Sequence, residues 1–397
     1  MAINNDFYKA INSLAAQGTE GTKAIVDYAS FMDYGKKAAD LSISNDLQNA
    51  YMSNLLNRIK KVINDNPNYV GQYMDIVVTG GDPGEIVQTI MTTFYDATYN
   101  RALAPLVSGT IYTDQFEYIE GKALALYHTK TNAKEFGLSI PDIRWKAALA
   151  SPEALDTFNR EQMNAVLNST ALFAETERMA IVADVINKCL GTTPNDTDET
   201  VGAMNYDLLK IYNDQNDTTL TTADCLNNND FTRWTEGVID DISNLMAKVS
   251  VKFNLHGADV TPYPWKTFTP KDYQRLKINS LYSKAIRKSN MDAYHTEEWK
   301  LPNVATETVP YWQNEDLRLQ VEAGPASAED DEPTYGDPVI AVLFDKRRCM
   351  QSIQMDDAAS ARENRLRYTS YFWQTASMFY SNEYANAVVF TIKGGSE

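Results

Sequence analysis

The chain has 397 residues, enough for about two or three structural units, and its 44% apolar and 22% charged residues are the proportions of a globular protein rather than a disordered one. Its 36 Lys and Arg against 53 Asp and Glu leave a net charge of −17, a field that repels phosphate backbones and anionic lipid and so disfavours general nucleic-acid binding. No apolar stretch approaches the roughly 18 residues needed to cross a bilayer, and the opening MAINNDFYKAINSL lacks a basic segment followed by an apolar one, so neither a membrane span nor secretion is expected.

Residues 1–67 alternate helical patterns with polar breaks. Leu47, Tyr51, Leu55, Leu56 and Ile59 recur at helical spacing after an N-terminal arm. From 68 to 150 the pattern turns to short β-favouring runs. Asp75 to Thr79 ends at Gly80-Gly81-Asp82-Pro83-Gly84, which is turn chemistry, and Tyr, Thr and Phe then recur from Phe94 to Tyr118 in a protruding excursion. Ser151 as N-cap and Pro152 at the first helical position signal a helix start. Met163, Val166, Leu167, Phe173, Val182, Val185, Ile186 and Leu190 then keep close to the 3.6-residue period, giving the longest helix, near thirty residues over 161–190, stopped by Gly191-Thr192-Thr193-Pro194. Residues 191–230 read as loops around a short helix at Asp207 to Tyr212. A second long helix is expected over 231–252, carried by Phe231, Trp234, Val238, Ile242, Leu245, Met246 and Val249.

Two charge blocks follow. Lys271 to Lys288 carries Lys271, Arg275, Lys277, Lys284, Arg287 and Lys288 against Asp272 alone, a net +5. Glu322 to Asp337, with Glu329, Asp330, Asp331 and Glu332, sums to −6 in a Gly- and Pro-marked loop. The basic block reads equally as a solvated helix face and as a functional surface meeting packaged nucleic acid or an acidic loop of a neighbour. Beyond it, Val339 to Phe344 is a continuous apolar run, the mark of a strand covered on both faces, ended by Asp345-Lys346-Arg347. Arg365 to Tyr380 is a long aromatic run, and Ala385 to Ile392 a last strand, so the chain is expected to end inside a sheet.

Chemical motifs are sparse. Gly80 to Gly84 lacks the spacing of a phosphate cradle, His128, His256 and His295 stand alone, and Cys189, Cys225 and Cys349 form an odd set with no paired spacing. Asp214-Gln215-Asn216-Asp217 lacks the Gly and Glu of a calcium loop, and pairs such as Asp240-Asp241 and Asp356-Asp357 are what any acidic chain supplies. No catalytic residue, metal site or cofactor site is therefore assigned.

The run AVLFDKRRCMQSIQMDDAASARENRLRYTSYFWQTASMFYSNEYANAVVFTIK, Ala341 to Lys393, resembles the C-terminal end of tailed-phage major capsid proteins with the Hong Kong ninety-seven fold. In that family a strand ends in an Asp-containing turn, a short hairpin follows, an aromatic W-Q-T strand crosses the sheet and an N-A-V-x-F strand closes it. Here these are Val339 to Asp345, Tyr368 to Tyr380 with Trp373-Gln374-Thr375, and Asn386 to Phe390. The likeness is greatest to coat proteins of short-tailed phages of the phi-twenty-nine kind.

The resemblance implies an α+β fold of the Hong Kong ninety-seven type: N-terminal arm and helix (1–67), extended loop (68–150), peripheral domain with spine helix and C-terminal β-sheet (151–194 and 338–397) and axial domain (195–337). It implies a major capsid protein with no enzymatic activity and no cofactor. Copies would self-assemble as hexamers and pentamers into an icosahedral or prolate shell around double-stranded DNA, in the virion after assembly in the host cytoplasm. Expected partners are copies of itself, scaffolding, portal and decoration proteins, and DNA through weak, non-specific contact, with no membrane. Because the two charge blocks nearly cancel, Arg275, Lys277 and Lys284 are expected to meet Asp330, Asp331 and Glu332 between subunits. An encapsulin-type compartment shell and an acidic carbohydrate-active enzyme are the alternatives.

Overall fold

The computed structural model describes residues 69, 71–79, 87–92, 94, 123–128, 131–148, 152–192, 204–256, 265–294, 299–322 and 335–394. The expected arm and helix in 1–67, the Gly80–Gly84 turn, Ser151, His295 and the Asp330–Glu332 cluster lie outside these residues. In chain order the strands are β1 (Val77–Thr79), β2 (Val87–Thr92), β3 (Ala123–His128), β4 (Thr131–Pro141), β5 (Asn205–Asp207), β6 (Gln274–Asn279), β7 (Ala305–Val309), β8 (Val339–Asp345), β9 (Cys349–Glu363), β10 (Tyr368–Ser381) and β11 (Ala387–Thr391). The helices are α1 (Asp142–Ala148), α2 (Pro152–Leu190), α3 (Leu208–Asn216), α4 (Asn229–Met246) and α5 (Ser280–Tyr294). They divide into two compact units, the first drawn from 1–84, 131–178 and 351–378, the second from 85–130, 179–350 and 379–397.

The first unit is built on a sheet of order β1-β9-β10-β4. β1 runs parallel to β9, and β10 is antiparallel to β4 from Tyr368 opposite Pro141 to Met378 opposite Thr131. Alternation at the start of β10 buries Thr369, Tyr371 and Trp373, the period-2 pattern of a strand with one covered face. Trp145 of α1 packs edge-on against Phe158 of α2, ring centres 6.0 Å apart. The first part of α2 also carries Leu155 and Val166 into this core. At 39 residues α2 is longer than the 161–190 expectation, because the helix that begins at Pro152 runs on without a break to Leu190; Gly191 then caps it by donating its N–H to the Asn187 carbonyl.

The second unit holds a five-stranded sheet of order β5-β11-β8-β6-β7. All seven residues of β8 and all five of β11 are buried, as the continuous apolar run predicts. Asn228 caps α4 by accepting from the N–H groups of Asp230 and Phe231, and the buried positions Phe231, Thr235, Ile239, Ile242 and Met246 form one stripe. α4 stops at Met246, short of the expected 252, because the Met246 carbonyl accepts from Thr269 and Ser250 pairs with Thr267. Polar pins cross the core. Thr235 and Tyr282 share a hydroxyl contact of 2.6 Å, the Ser243 hydroxyl meets Gln274, and the Trp312 indole donates to the Val339 carbonyl at 2.9 Å. A separate ribbon, β2 against β3, carries His128 stacked on Tyr380 with ring centres 4.5 Å apart.

One topological expectation needs correction. The sequence places the β8, β10 and β11 segments in one C-terminal sheet, but β8 and β11 pair with each other in the five-stranded sheet, alongside β5, β6 and β7 from 195–337, whereas β10 lies in the other. The reason lies at Arg348. Its fully buried guanidinium donates to the carbonyls of Asn382 and Ala385, and the Arg348 carbonyl accepts from the Asn382 N–H. The chain thus leaves β8 and re-enters β11 through one latch, and the intervening hairpin is free to belong elsewhere.

Candidate assembly surface

The basic block does not form one surface. Lys271 sits in a single helical turn and reaches Asp240 at 3.4 Å. Gln274–Asn279 is β6, a strand buried at five of six positions. Lys277 is fully buried there, its ammonium 2.6 Å from the Glu307 carboxylate of adjacent β7, and the half-buried Arg275 donates to the carbonyls of Asp272 and Gln274. These two cations are bound within the chain, and Lys277 is closed to a neighbour. The helical half differs. Tyr282, Ala285, Ile286, Ser289 and Asn290 of α5 are buried, which turns Lys284, Arg287 and Lys288, spaced three and four residues apart, to solvent. Of the acidic partners, Asp330, Asp331 and Glu332 lie outside the described residues, and Asp337 pairs with Lys393 at 3.2 Å.

What fixes α2 to its sheet is a set of polar contacts that periodicity does not show. The buried Glu177 carboxylate accepts from Asn132 of β4 at 2.6 Å, Gln351 of β9 at 2.8 Å and Ser377 of β10 at 2.6 Å. A strap of chain ahead of β1 is held along the same helix: the Tyr69 N–H meets Asn168, the Gln72 N–H meets Glu175, and Arg178 donates to the Gln72 carbonyl. A buried carboxylate must be hydrogen-bonded to be tolerated, and here its donors come from three different strands, so the carboxylate fixes the helix against all of them.

At one end of the first unit, β9 and β10 are joined by a tip of sequence Glu363-Asn364-Arg365-Leu366-Arg367. Arg367 takes a left-handed conformation (φ 52°) and its carbonyl accepts from the Asp142 N–H. Arg362 closes the corner by donating to the Asp142 carboxylate at 2.9 Å. Sequence reasoning passed over this tip; the only signal is a lone leucine between two arginines in a polar turn.

Among the described residues no group of His, Cys, Asp and Glu is arranged to hold a metal ion, and no helix is long and apolar enough to cross a membrane. Burial pushes the thiols of Cys189 and Cys225 up to about 11, which makes them poor nucleophiles, and burial lowers the pKa of His128.

The fold has counterparts in phage shells. The capsid structure of Staphylococcus phage Andhra superposes with a TM-score of 0.51 at 8% identity, covering 84% of this chain and 86% of that one. That of cyanophage P-SCSP1u does so at 0.48 with 12% identity, covering 84% and 91%. No curated protein sequence matches the chain. The fold is thus that of a phage-shell subunit, of the Hong Kong ninety-seven type. A profile of the Phi29-like phage major capsid protein matches residues 11–391, nearly the whole chain, and the protein belongs to that family. It is a coat protein that builds a phage shell and is a component of the virion. The comparisons support neither an encapsulin-type compartment nor a carbohydrate-active enzyme.

Proposed function

We propose that this chain is the tile from which hexamers and pentamers of a closed head are made, enclosing double-stranded DNA, with no enzymatic role and no cofactor. The observation that carries this is the pairing of a 39-residue helix, about 58 Å long at 1.5 Å per residue, with strands pinned to it through the buried Glu177. Such a body is stiff enough to keep its edges in register across a lattice, where one chain occupies several settings. In this reading the first unit, β1, β4 and α1 included, is the peripheral wedge, the five-stranded sheet with α3, α4 and α5 is the axial body, residues 1–67 supply the arm, and the extended loop is the part of 68–150 outside the first unit, 85–130. The exposed Lys284 of α5, with Arg287 and Lys288, faces acidic segments of adjacent copies, Asp330 to Glu332 included. The net charge of −17 leaves DNA only weak, salt-sensitive contacts, so packaged genome slides against the lining rather than sticking to it. Scaffolding, portal and decoration proteins complete the partner set, and assembly takes place in the host cytoplasm.

The test is electron microscopy of the chain purified after expression alone and with the other head proteins of its phage. Closed shells of uniform size are expected. Dispersed single subunits at high concentration under both conditions would refute the reading.

A further inference from the structure

Arg348 is among the largest side chains that the fold buries completely, yet only part of its guanidinium is used. Nη1 donates to the carbonyls of Asn382 at 2.9 Å and Ala385 at 3.1 Å, on the turn that leads into β11. The donors on the remaining edge, Nε and Nη2, have no hydrogen-bond partner among the described residues, and no carboxylate there pairs with the cation. Those two N–H groups point the same way from the planar group, so together they form the fork with which an arginine grips a single acceptor twice. The residue is also held at both ends of its own peptide. The Arg348 N–H donates to the Asp345 carbonyl at 2.7 Å, and the Arg348 carbonyl accepts from the Asn382 N–H at 2.6 Å, so the side chain is not free to turn its fork out to water.

The neighbouring groups do not supply the missing negative charge. Glu383, on the same turn, directs its carboxylate to Lys188 at 3.0 Å and to His256 at 3.7 Å, and it is 41% exposed, so water screens its field at Arg348. Complete burial pushes the Cys189 thiol, at the end of α2, up to about 11 against the opposing pull of Arg348, so at neutral pH this neighbour is uncharged. A buried cation with two free N–H groups is destabilising until an acceptor reaches it, and more so while its charge is unmatched. A water molecule would satisfy the donors but not the charge, whereas a small anion answers both. A phosphate or sulfate would bring further oxygens into a core of buried Cys189, Cys349 and Ala385 side chains that is poor in donors for them. We infer that the Nε–Nη2 edge of Arg348 binds one small monovalent anion, of which chloride is the type, and that this ion is part of the latch joining the exit of β8 to the entry of β11. Arg348, Cys189 and the 382–385 turn all lie in the second unit, so the site belongs to the single subunit and goes beyond its use as a tile.

The test uses unassembled wild-type subunits and Arg348→Lys, which keeps a cation for the Asn382 and Ala385 carbonyls but has no fork. Equilibrium dialysis against radiolabelled chloride should show a single saturable ion on each wild-type chain and none on the variant. Urea unfolding is then followed as chloride replaces methanesulfonate at constant ionic strength. Because the unfolded chain has no such site, the wild-type unfolding constant should fall about tenfold for each tenfold rise in chloride above its dissociation constant. Bromide should act in the same way, and Arg348→Lys should not respond. A wild-type chain that holds no chloride and unfolds alike in either salt overturns the inference and gives the fork to an ordered water. A variant that still binds chloride overturns the assignment to Arg348. Where Arg348→Lys does not fold, wild-type crystals grown in bromide decide: an anomalous peak beside Nε and Nη2 supports the site, and a map without one overturns it.

Discussion

Lys277 and Glu307 provide the sharpest test of how the basic block is used. The ammonium is fully buried and lies 2.6 Å from a carboxylate that is one-third exposed. At an effective dielectric of about 20, that separation corresponds to roughly 6 kcal/mol of attraction, and desolvating the two ions costs several kcal/mol in return, so the pair is close to neutral as a unit. Removing one partner is a different matter. Glu307→Ala takes from a buried ammonium the carboxylate 2.6 Å away and should cost about 3–5 kcal/mol, whereas Lys277→Met, which keeps the length of the side chain and leaves a carboxylate that water can reach, should cost much less. The double variant Lys277→Met/Glu307→Ala should therefore be more stable than Glu307→Ala alone. The assay is urea unfolding of unassembled subunits for all four members of the cycle, read as ΔG at constant m. A Glu307→Ala cost below about 1 kcal/mol, or purely additive effects, would refute the claim that the pair is an internal device.

Two further outcomes follow from single positions. A Cβ at Gly71 would lie 2.6 Å from Nη2 of Arg178 and 3.0 Å from Cβ of Glu175. Arg178 cannot swing aside freely, because it is buried and donates to the Gln72 carbonyl and to Gln351, so Gly71→Ala should cost about 1–3 kcal/mol in urea unfolding and speed amide exchange in the strap at 71–79. An alanine chain within about 0.5 kcal/mol of the wild type would show that the strap is not held where described. Glu236, in a cleft with Arg233, Asp240, Asn290, Trp299 and Lys300, has its carboxyl pushed up to about 7 by burial, partly offset by the hydrogen bond from Asn290 and the nearby Arg233. Because the folded value exceeds the usual 4.5, the native state holds the proton more tightly, and this group's contribution to stability falls as pH rises from about 4.5 through about 7. A fully enclosed group with this shift would contribute about 3 kcal/mol, and the water that reaches half-buried Glu236 reduces this to about 1. Glu236→Gln should therefore gain about that much at alkaline pH and flatten the profile of urea midpoints, and an unchanged slope would refute the assignment.

The elements that a sequence reader finds here are those whose burial is one-sided or complete. β8 is visible as an unbroken apolar run, α4 as a stripe, and the start of α2 as a proline in the first turn. β6 is hidden for the opposite reason. Gln274, Lys277 and Asn279 are polar yet buried, and their partners, Ser243, Glu307 and Arg318, lie thirty or more residues away, so their chemistry reads as surface until the fold joins them. β9 is hidden because most of its described length past Ser352 is exposed, and a strand wet on both faces has no alternation to detect. The same blindness split the candidate site. Six cations in eighteen residues look like one patch, but strand geometry turns Lys277 inward while helix geometry turns Lys284, Arg287 and Lys288 out. The tip at Leu366 offered only a single apolar residue in a turn, which no periodicity can weigh.

The distribution of charge within the fold ties these findings to a mechanical role. Three buried ionic groups are tied to partners distant in sequence: Glu177 to three strands, Lys277 to β7, Arg348 to the turn that begins β11. Each adds little net stability, because desolvation offsets most of the attraction, but each penalises any arrangement that separates the partners. An apolar core of the same volume tolerates sliding, since one hydrocarbon contact is much like another, whereas a carboxylate bound by Asn132, Gln351 and Ser377 has one satisfied position. A subunit that must repeat across a closed shell needs that positional fidelity more than it needs extra stability, because an error in the angle between its edges is multiplied at every neighbour. Neutralising Glu177 as Gln should for this reason disturb shell size uniformity before it unfolds the subunit.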